Sequence, residues 1–241
     1  MRLDKYVSLT GPSRKQARGL ILTGRVAVNG AVSRDCALSV SLDDRVTLDG
    51  EMLGAKSELY LMVHKPAGML TATEDAHGQP TVIDLLPDAL KKRGPGPVGR
   101  LDKDVTGLVL MTTDGQLAHR LISPKRHVEK VYRAVVSGTP DESDAARFAA
   151  GLPLSDFTTM PARLTVVTPG DEALCEVVVT EGKFHQVKRM FQAVGREVTQ
   201  LHRLRFGPLV LDETLSPGAW RELTEEELRS LRLTAGMEEQ P

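Results

Sequence analysis

Two aspartates, Asp102 and Asp104, lie in a glycine-bounded segment, residues 98–115, that leads into an apolar run. Asp102 stands between Arg100 and Lys103, and neighbouring cations favour the ionised form of a carboxyl group. An ionised carboxylate can act as a nucleophile or as a base, and loops anchored to a strand often carry such groups. Aspartate is also a favoured turn residue. Spacing alone does not choose between the two aspartates or exclude a structural turn.

One tyrosine, Tyr132, lies in the middle of a predicted strand at residues 128–136. In such a strand the ring can pack in the core with its hydroxyl at the edge. Beside a nucleotide pocket the ring can instead stack on a base. The segment by itself leaves both roles open.

Basic and polar side chains recur at three- and four-residue intervals in a predicted helix at residues 184–194 and just beyond it. Such a stripe can meet phosphate groups, pair with a carboxylate, or remain a solvated face. No second His or Cys lies at ligand spacing from His185, so we expect no metal site there. The stripe consists of His185, Lys188, Arg189, Gln192 and Arg196, opposite an apolar face of Phe184, Val187, Phe191 and Val194.

The net charge of -1 hides an uneven distribution along the chain. Residues 1–34 hold seven Lys and Arg against one acid, residues 91–133 ten against four, and residues 183–205 six against one. Residues 209–241 reverse the balance, with three bases against eight acids. Basic segments that join into one surface attract phosphate, which makes nucleic acid a candidate partner.

Composition excludes several classes of protein. No run approaches the roughly 18 apolar residues that span a bilayer, and the N-terminus lacks the apolar block of a signal peptide. Cys36 and Cys175 are the only cysteines, in no metal-ligand spacing, which argues against a disulfide framework or a zinc site. No dinucleotide or phosphate-loop motif is present. We therefore expect a cytoplasmic protein without a membrane segment.

The first part of the chain has the pattern of two short helices followed by a hairpin. Ser13 opens a second helix with a capping box, and Gly24 ends it. Residues 26–32 form two apolar runs around Asn29-Gly30, a dipeptide preferred in tight hairpin turns. A further strand is predicted at residues 45–48.

The polar residues 49–58 are predicted to be a linker, which divides the chain into residues 1–58 and 59–241. Consecutive strands without intervening helices predict an α+β fold with a mixed, largely antiparallel sheet in the second part. Strands are predicted at 59–64, 107–112, 128–136, 163–168 and 173–180, and helices at 81–90, after Asp114, at 140–152, at 184–194 and from Thr224.

Three patterns at the N-terminus, Arg2-Leu-Asp-Lys5, Ser13-Arg14-x-x-Ala17-Arg18 and Gly24-Arg25-Val-x-Val-Asn-Gly30, resemble the S4 RNA-binding module. The likeness covers about residues 1–48 and implies RNA binding without naming a reaction. The candidate RNA-binding side chains in this module are Arg14, Lys15, Arg18 and Arg25.

Four ordered motifs occupy the rest of the chain. They are Lys65-Pro66-Ala67-Gly68, Gly99-Arg100-Leu101-Asp102 with Thr106-Gly107-Leu108, Lys130-Val131-Tyr132, and Glu181-Gly182 with His185-Gln186-Val187-Lys188-Arg189-Met190. In order and spacing they resemble the RsuA-type pseudouridine synthases, and with the S4-like block the likeness extends to about residue 233. The resemblance implies a pseudouridine synthase domain and the isomerisation of a uridine in ribosomal RNA.

The resemblance also implies roles for individual side chains. The aspartate of Arg-Leu-Asp is essential in this family, which selects Asp102 over Asp104. Tyr132 would stack near the target base, and Lys188 would pair with Asp102, with Arg189 as the adjacent alternative. The further candidates for contact with RNA are Arg100, which would hold the displaced strand or flipped nucleotide, His185 and Arg189.

The implied reaction breaks the N1–C1′ bond, turns the uracil and joins C5 to C1′. It gains and loses no atoms and changes no redox state, so we expect no cofactor and no metal. The carboxylate of Asp102 can attack C1′ or act as a base at the ribose, and the sequence does not separate these roles. The target base must leave its stack, at a cost on the order of a few kcal/mol.

Within the family, residues 107–114 and 123–127 are more similar to the small-subunit enzymes, with large-subunit enzymes as the alternative. We expect a monomer that acts on ribosomal RNA, free or in a pre-ribosomal particle. A non-catalytic assembly factor would leave the motifs unused. A glycoside-cleaving pair of Asp102 and Asp104 would lie too close for the usual inverting separation of roughly 6.5–9.5 Å.

Overall fold

The computed structural model of the chain describes residues 1–10, 12–41, 44–53 and 58–237, which fall into two units, Met1–Glu58 and Leu59–Pro241. Residues 54–57 of the predicted linker and the last four residues lie outside the described part.

Two helices and a small sheet make up the described part of the first unit. The Ser13 hydroxyl accepts a hydrogen bond from the Gln16 backbone at 3.3 Å, and the Gln16 side chain accepts one from the Ser13 N–H at 2.8 Å, so the predicted capping box is confirmed. Leu3, Ile21 and Val26 belong to the shared core. The elements are α1 (Leu3–Ser8), α2 (Arg14–Leu22), β1 (Val26–Val28), β2 (Ala31–Val32), β3 (Val46–Leu48) and β4 (Glu51–Met52), with strand order β2-β1-β3-β4.

Two hairpins of this unit turn at residues in the left-handed region. Asn29 and Gly30, at φ 52° and 85°, join β1 to β2, as the sequence predicts. Asp49 and Gly50, at φ 52° and 86°, join β3 to β4 in the same way. The prediction that the linker begins at residue 49 is therefore wrong, because this second turn folds the chain back into the sheet.

A mixed sheet organises the second unit. Its described strands are β5 (Tyr60–Lys65), β6 (Gly96–Val98), β7 (Thr106–Thr112), β8 (Lys130–Ser137), β9 (Arg163–Thr168), β10 (Glu172–Val179), β11 (Val198–Phe206), β12 (Leu209–Val210) and β13 (Trp220–Glu222). Its helices are α3 (Asp88–Lys91), α4 (Gly115–Ile122), α5 (Glu142–Ala150), α6 (Gln186–Ala193) and α7 (Glu225–Thr234), with 3₁₀ turns at Val82–Leu85 and Pro124–Arg126.

The described strands pair in the order β13-β5-β7-β11-β8-β10-β9, with β12 on β11 and β6 on β7. Every pair is antiparallel except β7 and β11, so the predicted α+β fold with a largely antiparallel sheet is confirmed. Along β7, Val109 and Met111 enter a core shared with α5 and α6, whereas Leu108 and Leu110 enter one shared with α4 and α7. This alternation buries both faces of the central strand.

Two local predictions for the second unit need correction, and one long strand was not predicted. The helix predicted at 81–90 is broken into a 3₁₀ turn and α3, because Leu86 precedes Pro87 and is extended at ψ 148°. Helix α6 begins at Gln186, and Phe184, predicted on its apolar face, is exposed. Strand β11 has no sequence prediction, because its basic residues mask the alternation. No helix in the ranges described is long and apolar enough to cross a membrane.

Candidate active site

The loop that carries Asp102 is held by hydrogen bonds to its backbone. The Thr71 hydroxyl donates to the Leu101 carbonyl at 2.8 Å and accepts from the Leu101 N–H at 3.2 Å. The Val105 N–H donates to the Asp102 carbonyl at 3.1 Å, which closes a turn. Leu101 and Val105 are buried, while the Asp102 side chain stays 29% exposed. The turn therefore anchors its apolar ends and presents the carboxylate at the surface.

The buried Lys65 side chain binds the backbone of this turn. Its side chain is fully buried, and its ammonium donates to the carbonyls of Pro66, Lys103 and Val105 at 3.0, 3.1 and 2.7 Å. Burial lowers the pKa of Lys65 to about 8, against the opposing attraction of the nearby aspartates. The two charge-assisted bonds to Lys103 and Val105 tie the loop after Asp102 to strand β5.

A close backbone contact joins the end of the Asp102 loop to β11. Gly107 pairs with Arg203 in parallel register, and a Cβ at Gly107 would lie 2.3 Å from the Arg203 carbonyl oxygen. The Arg203 side chain is itself buried and donates to the Leu108 carbonyl at 2.8 Å. Burial lowers the pKa of the neighbouring Lys130 to about 8, and the positive charge of Arg203 adds to this decrease.

The segment before α6 is braced by two side chains of its motif. The Gln186 amide donates to Glu181 at 2.7 Å, and the Gln186 carbonyl oxygen accepts from the Lys183 N–H at 3.0 Å. Glu181 also accepts from the Met160 backbone at 2.8 Å. Between them His185 adopts φ 49°, in the left-handed region that is uncommon for residues other than glycine. These bonds hold the start of the helix in a defined position.

Asp102 and the start of α6 face each other. His185 Nε2 lies 3.6 Å from Asp102 Oδ1, and Lys188 Nζ lies 3.9 Å from Asp102 Oδ2. The same ammonium donates to both oxygens of Asp104, at 2.8 and 2.6 Å, and lowers the pKa of that carboxyl below its ordinary value. An accessible carboxylate flanked by two basic groups can serve as a nucleophile or a base.

The neighbouring basic residues of the stripe point elsewhere. Arg189 pairs with Asp156 and donates to the Ser155 hydroxyl at 3.1 Å, so its guanidinium faces the loop after α5. Arg196 lies beyond α6 and reaches Asp144 at 3.5 Å. Of the two adjacent candidates for a partner of Asp102, the structure therefore brings Lys188 to it.

Tyr132 lies in a row of residues that crosses the sheet. Lys65 is opposite Gly107, Gly107 opposite Arg203, Arg203 opposite Tyr132, and Tyr132 opposite Val177. Its ring is partly buried against the core that contains Leu101 and Val105, the two ends of the turn that carries Asp102. Arg100, the residue before this turn, is exposed.

In the first unit, an acid lies beside one candidate basic residue of α2. Asp4 is buried and accepts two hydrogen bonds from Arg2, at 3.1 and 2.9 Å, which lower its pKa, while Arg14 lies 3.8 Å away. Arg25 lies apart and pairs with Asp49. An open depression here is lined by Arg2, Asp4, Arg14, Lys15, Arg18, Gly19 and Leu22.

Sequence reasoning did not foresee the parts played by Lys65, Arg203, Glu181 and Gln186. Lys65 and the two bracing residues stand within quoted motifs, but no spacing reveals which backbone groups they bind. Arg203 carries no local signal, because its partners depend on β11 lying beside β7.

Comparison with known proteins agrees with this arrangement. The family model for RNA pseudouridylate synthase matches residues 59–193, and the S4 domain model matches residues 1–52. The chain is 44% identical to a ribosomal small subunit pseudouridine synthase A of Vibrio parahaemolyticus, covering 96% of this chain and 99% of the relative. The Escherichia coli K12 protein of that name is 42% identical, covering 96% and 100%.

A further relative and a solved structure belong to the same family. An uncharacterized RNA pseudouridine synthase, YtzG of Bacillus subtilis, is 43% identical, covering 96% of this chain and 98% of the relative. A crystal structure of a pseudouridylate synthase superposes with a TM-score of 0.68 at 36% identity, covering 96% and 99% of the two chains. The family predicted from the motifs is confirmed. The chain therefore belongs to the RNA pseudouridylate synthase family and carries an N-terminal S4 domain.

Proposed function

We propose that this isomerase converts one uridine of small-subunit ribosomal RNA to pseudouridine, with Asp102 as its catalytic carboxylate. The observation that carries the proposal is the approach of His185 and Lys188 to Asp102, at 3.6 and 3.9 Å, on an accessible surface. The choice of the small subunit is supported by the names of relatives that match over nearly their whole length. A ribosomal substrate in turn argues for action in the cytoplasm.

Asp102 supplies a negative charge that either attacks C1′ or removes a proton from the ribose. Both routes break the N1–C1′ bond, let the uracil turn and form the C5–C1′ bond, after which C5 loses its proton and N1 gains one. In the first route the Asp102–C1′ bond breaks as C5 attacks, and in the second Asp102 returns the proton to the ribose, so no atom is gained or lost. Lys188 balances the charge of the carboxylate, and its second contact with Asp104 fixes its position. Tyr132 stacks on the displaced uracil, while Arg100, His185 and Arg189 contribute to RNA binding. We expect the enzyme to act as a monomer.

The division of labour follows the two units. We take residues 1–58 as the RNA-binding domain with its linker and residues 59–241 as the catalytic domain. Arg14, Lys15 and Arg18 of α2 are exposed and can meet phosphates, since Arg14 shares Asp4 with Arg2, which already donates two hydrogen bonds to that acid. Arg25 contributes less in this scheme, since Asp49 already binds its guanidinium.

Replacing Arg14, Lys15 and Arg18 together by Gln should weaken RNA binding without impairing chemistry. Each lost phosphate contact contributes about 0.7–0.9 to the slope of log K against log salt, so the slope should flatten by about two units. Tritium release from RNA labelled at uridine C5, measured against RNA concentration at two salt concentrations, gives KM and kcat. Arg229→Gln, on the acid-rich α7, is the control. An unchanged KM and salt slope in the triple variant would contradict the assignment.

The substrate is tested with the purified full-length protein and two labelled RNAs. We expect one equivalent of tritium from small-subunit ribosomal RNA, supplied free or in an immature particle, and none from large-subunit RNA. Release from large-subunit RNA alone would move the target to that subunit. No release from either RNA would refute the ribosomal substrate. Mapping pseudouridines in cells with and without the protein identifies the position.

A further inference from the structure

The residue before His185 is an exposed aromatic ring. Phe184 is 73% exposed, more than any other large apolar side chain in the part of the chain that the structure describes. Its neighbours along the chain are His185, at the polar start of α6, and the exposed Lys183. A single ring in a polar setting is a poor docking surface for another protein, which needs a contiguous apolar area.

The Phe184 ring is held in place, and one of its faces stacks on His185. Phe184 and His185 stack with ring centroids 3.8 Å apart and planes at 17°. The left-handed backbone of His185 and the hydrogen bond from Arg189 to the Phe184 carbonyl, at 3.4 Å, fix the pair relative to α6. Strained backbone of this kind concentrates at functional sites. The opposite face of the Phe184 ring is open to solvent.

The Phe184–His185 pair lies next to the proposed catalytic carboxylate, Asp102. The Nε2 of His185 is 3.6 Å from Asp102, so a ligand on the open face of Phe184 lies beside the reacting nucleotide. The surrounding residues 183–205 carry six basic side chains against one acid. An aromatic face among cations suits a nucleotide, because the ring meets the base while the cations meet the phosphate.

We propose that the open face of Phe184 stacks on the base of a nucleotide adjacent to the target uridine and so helps to select the RNA segment that enters the site. The base on Phe184 cannot belong to the target itself, because the phenyl ring separates it from His185, whereas the target C1′ must reach Asp102. This inference rests on the proposed function for the identity of the RNA and for Asp102 as the catalytic carboxylate.

The first test separates binding from chemistry. Phe184→Ala should raise KM for small-subunit ribosomal RNA by about ten-fold, as expected for the loss of one base–aromatic stack, and lower kcat less than three-fold. Phe184→Tyr should restore KM, because it keeps the ring. The control is Val167→Ala, which removes another exposed apolar side chain. Val167 lies in β9 near the turn of the β9–β10 hairpin, at the end away from Glu181, so this substitution should change neither KM nor kcat. An unchanged KM in Phe184→Ala, or a fall in kcat alone, would overturn the proposal.

The second test does not depend on which RNA is modified. In the full-length Phe184→Trp variant, binding of a short oligouridylate should quench the new indole fluorescence, since stacking on a base brings the two ring systems into contact. The wild-type protein, whose single Trp220 is in β13, provides the background signal. If wild type releases no tritium from ribosomal RNA, the proposed substrate fails while quenching still decides the stacking. Saturable oligouridylate binding without quenching would rule the stacking out.

Discussion

Asp102→Asn should lower kcat by about 10³-fold or more while leaving RNA affinity within about two-fold of wild type. The substitution removes the negative charge but keeps the size of the side chain, so the turn held by Lys65 and Thr71 should persist. Either proposed role of the carboxylate, attack at C1′ or proton removal at the ribose, requires the ionised oxygen. Tritium release under single-turnover conditions, with RNA binding measured separately, gives both quantities.

The matched control is Asp104→Asn, two residues away in the same turn. Its carboxylate is 71% exposed and contacts Lys188 directly, so its loss removes one partner of that ammonium. Lys188 would keep Asp102 as its nearby acid, and activity should stay within about ten-fold of wild type. If Asp104→Asn is inactive and Asp102→Asn is active, the catalytic assignment is wrong.

Gly107→Ala should lower the free energy of unfolding of the synthase domain by about 2–6 kcal/mol, about 1–3 from backbone strain and about 1–3 from overpacking. Gly107 has φ 109°, which a residue with a Cβ rarely adopts, and the new methyl group would lie 2.3 Å from the carbonyl oxygen of Arg203. The clash is with backbone, at the parallel contact between β7 and β11, so no side-chain rotation relieves it.

Denaturant unfolding followed by the fluorescence of Trp220 measures this effect, because this single tryptophan reports on β13 of the same domain. Gly115→Ala is the control. Gly115 opens α4, and no atom lies within 4 Å of the position of its added Cβ, so this substitution should stabilise by about 0.4–1 kcal/mol. Equal stability of the two variants would show that the β7–β11 contact adapts to a side chain.

Features set by neighbouring residues could be predicted from the sequence. The capping boxes at Ser13 and Thr224, the turn at Asn29-Gly30 and the helix cap at Asp114 all form as expected. Each depends on hydrogen bonds or backbone conformations within about four residues, so the local sequence contains the necessary information. The motif order likewise predicted the family, through resemblance to known enzymes.

The identity of the groups that meet in the site was decided by the tertiary structure. Asp102 and Lys188 are 86 positions apart, and their approach depends on how the Asp102 loop and α6 pack on the sheet. Lys188 and Arg189 are adjacent in sequence, but a residue on a helix is turned by about 100° from the one before it. That rotation directs Lys188 to the two aspartates and Arg189 to Asp156.

The scaffold beneath the site also depends on contacts between distant segments. Lys65 binds carbonyls 38 and 40 residues further along, and Gly107 meets Arg203 only because β11 inserts between β7 and β8. Such pairings follow from burying both faces of the sheet and from satisfying buried backbone groups over the whole domain. The local sequence therefore predicted the caps and turns, and the family resemblance proposed the site residues, whereas the complete fold determined how these residues are held and which of them touch.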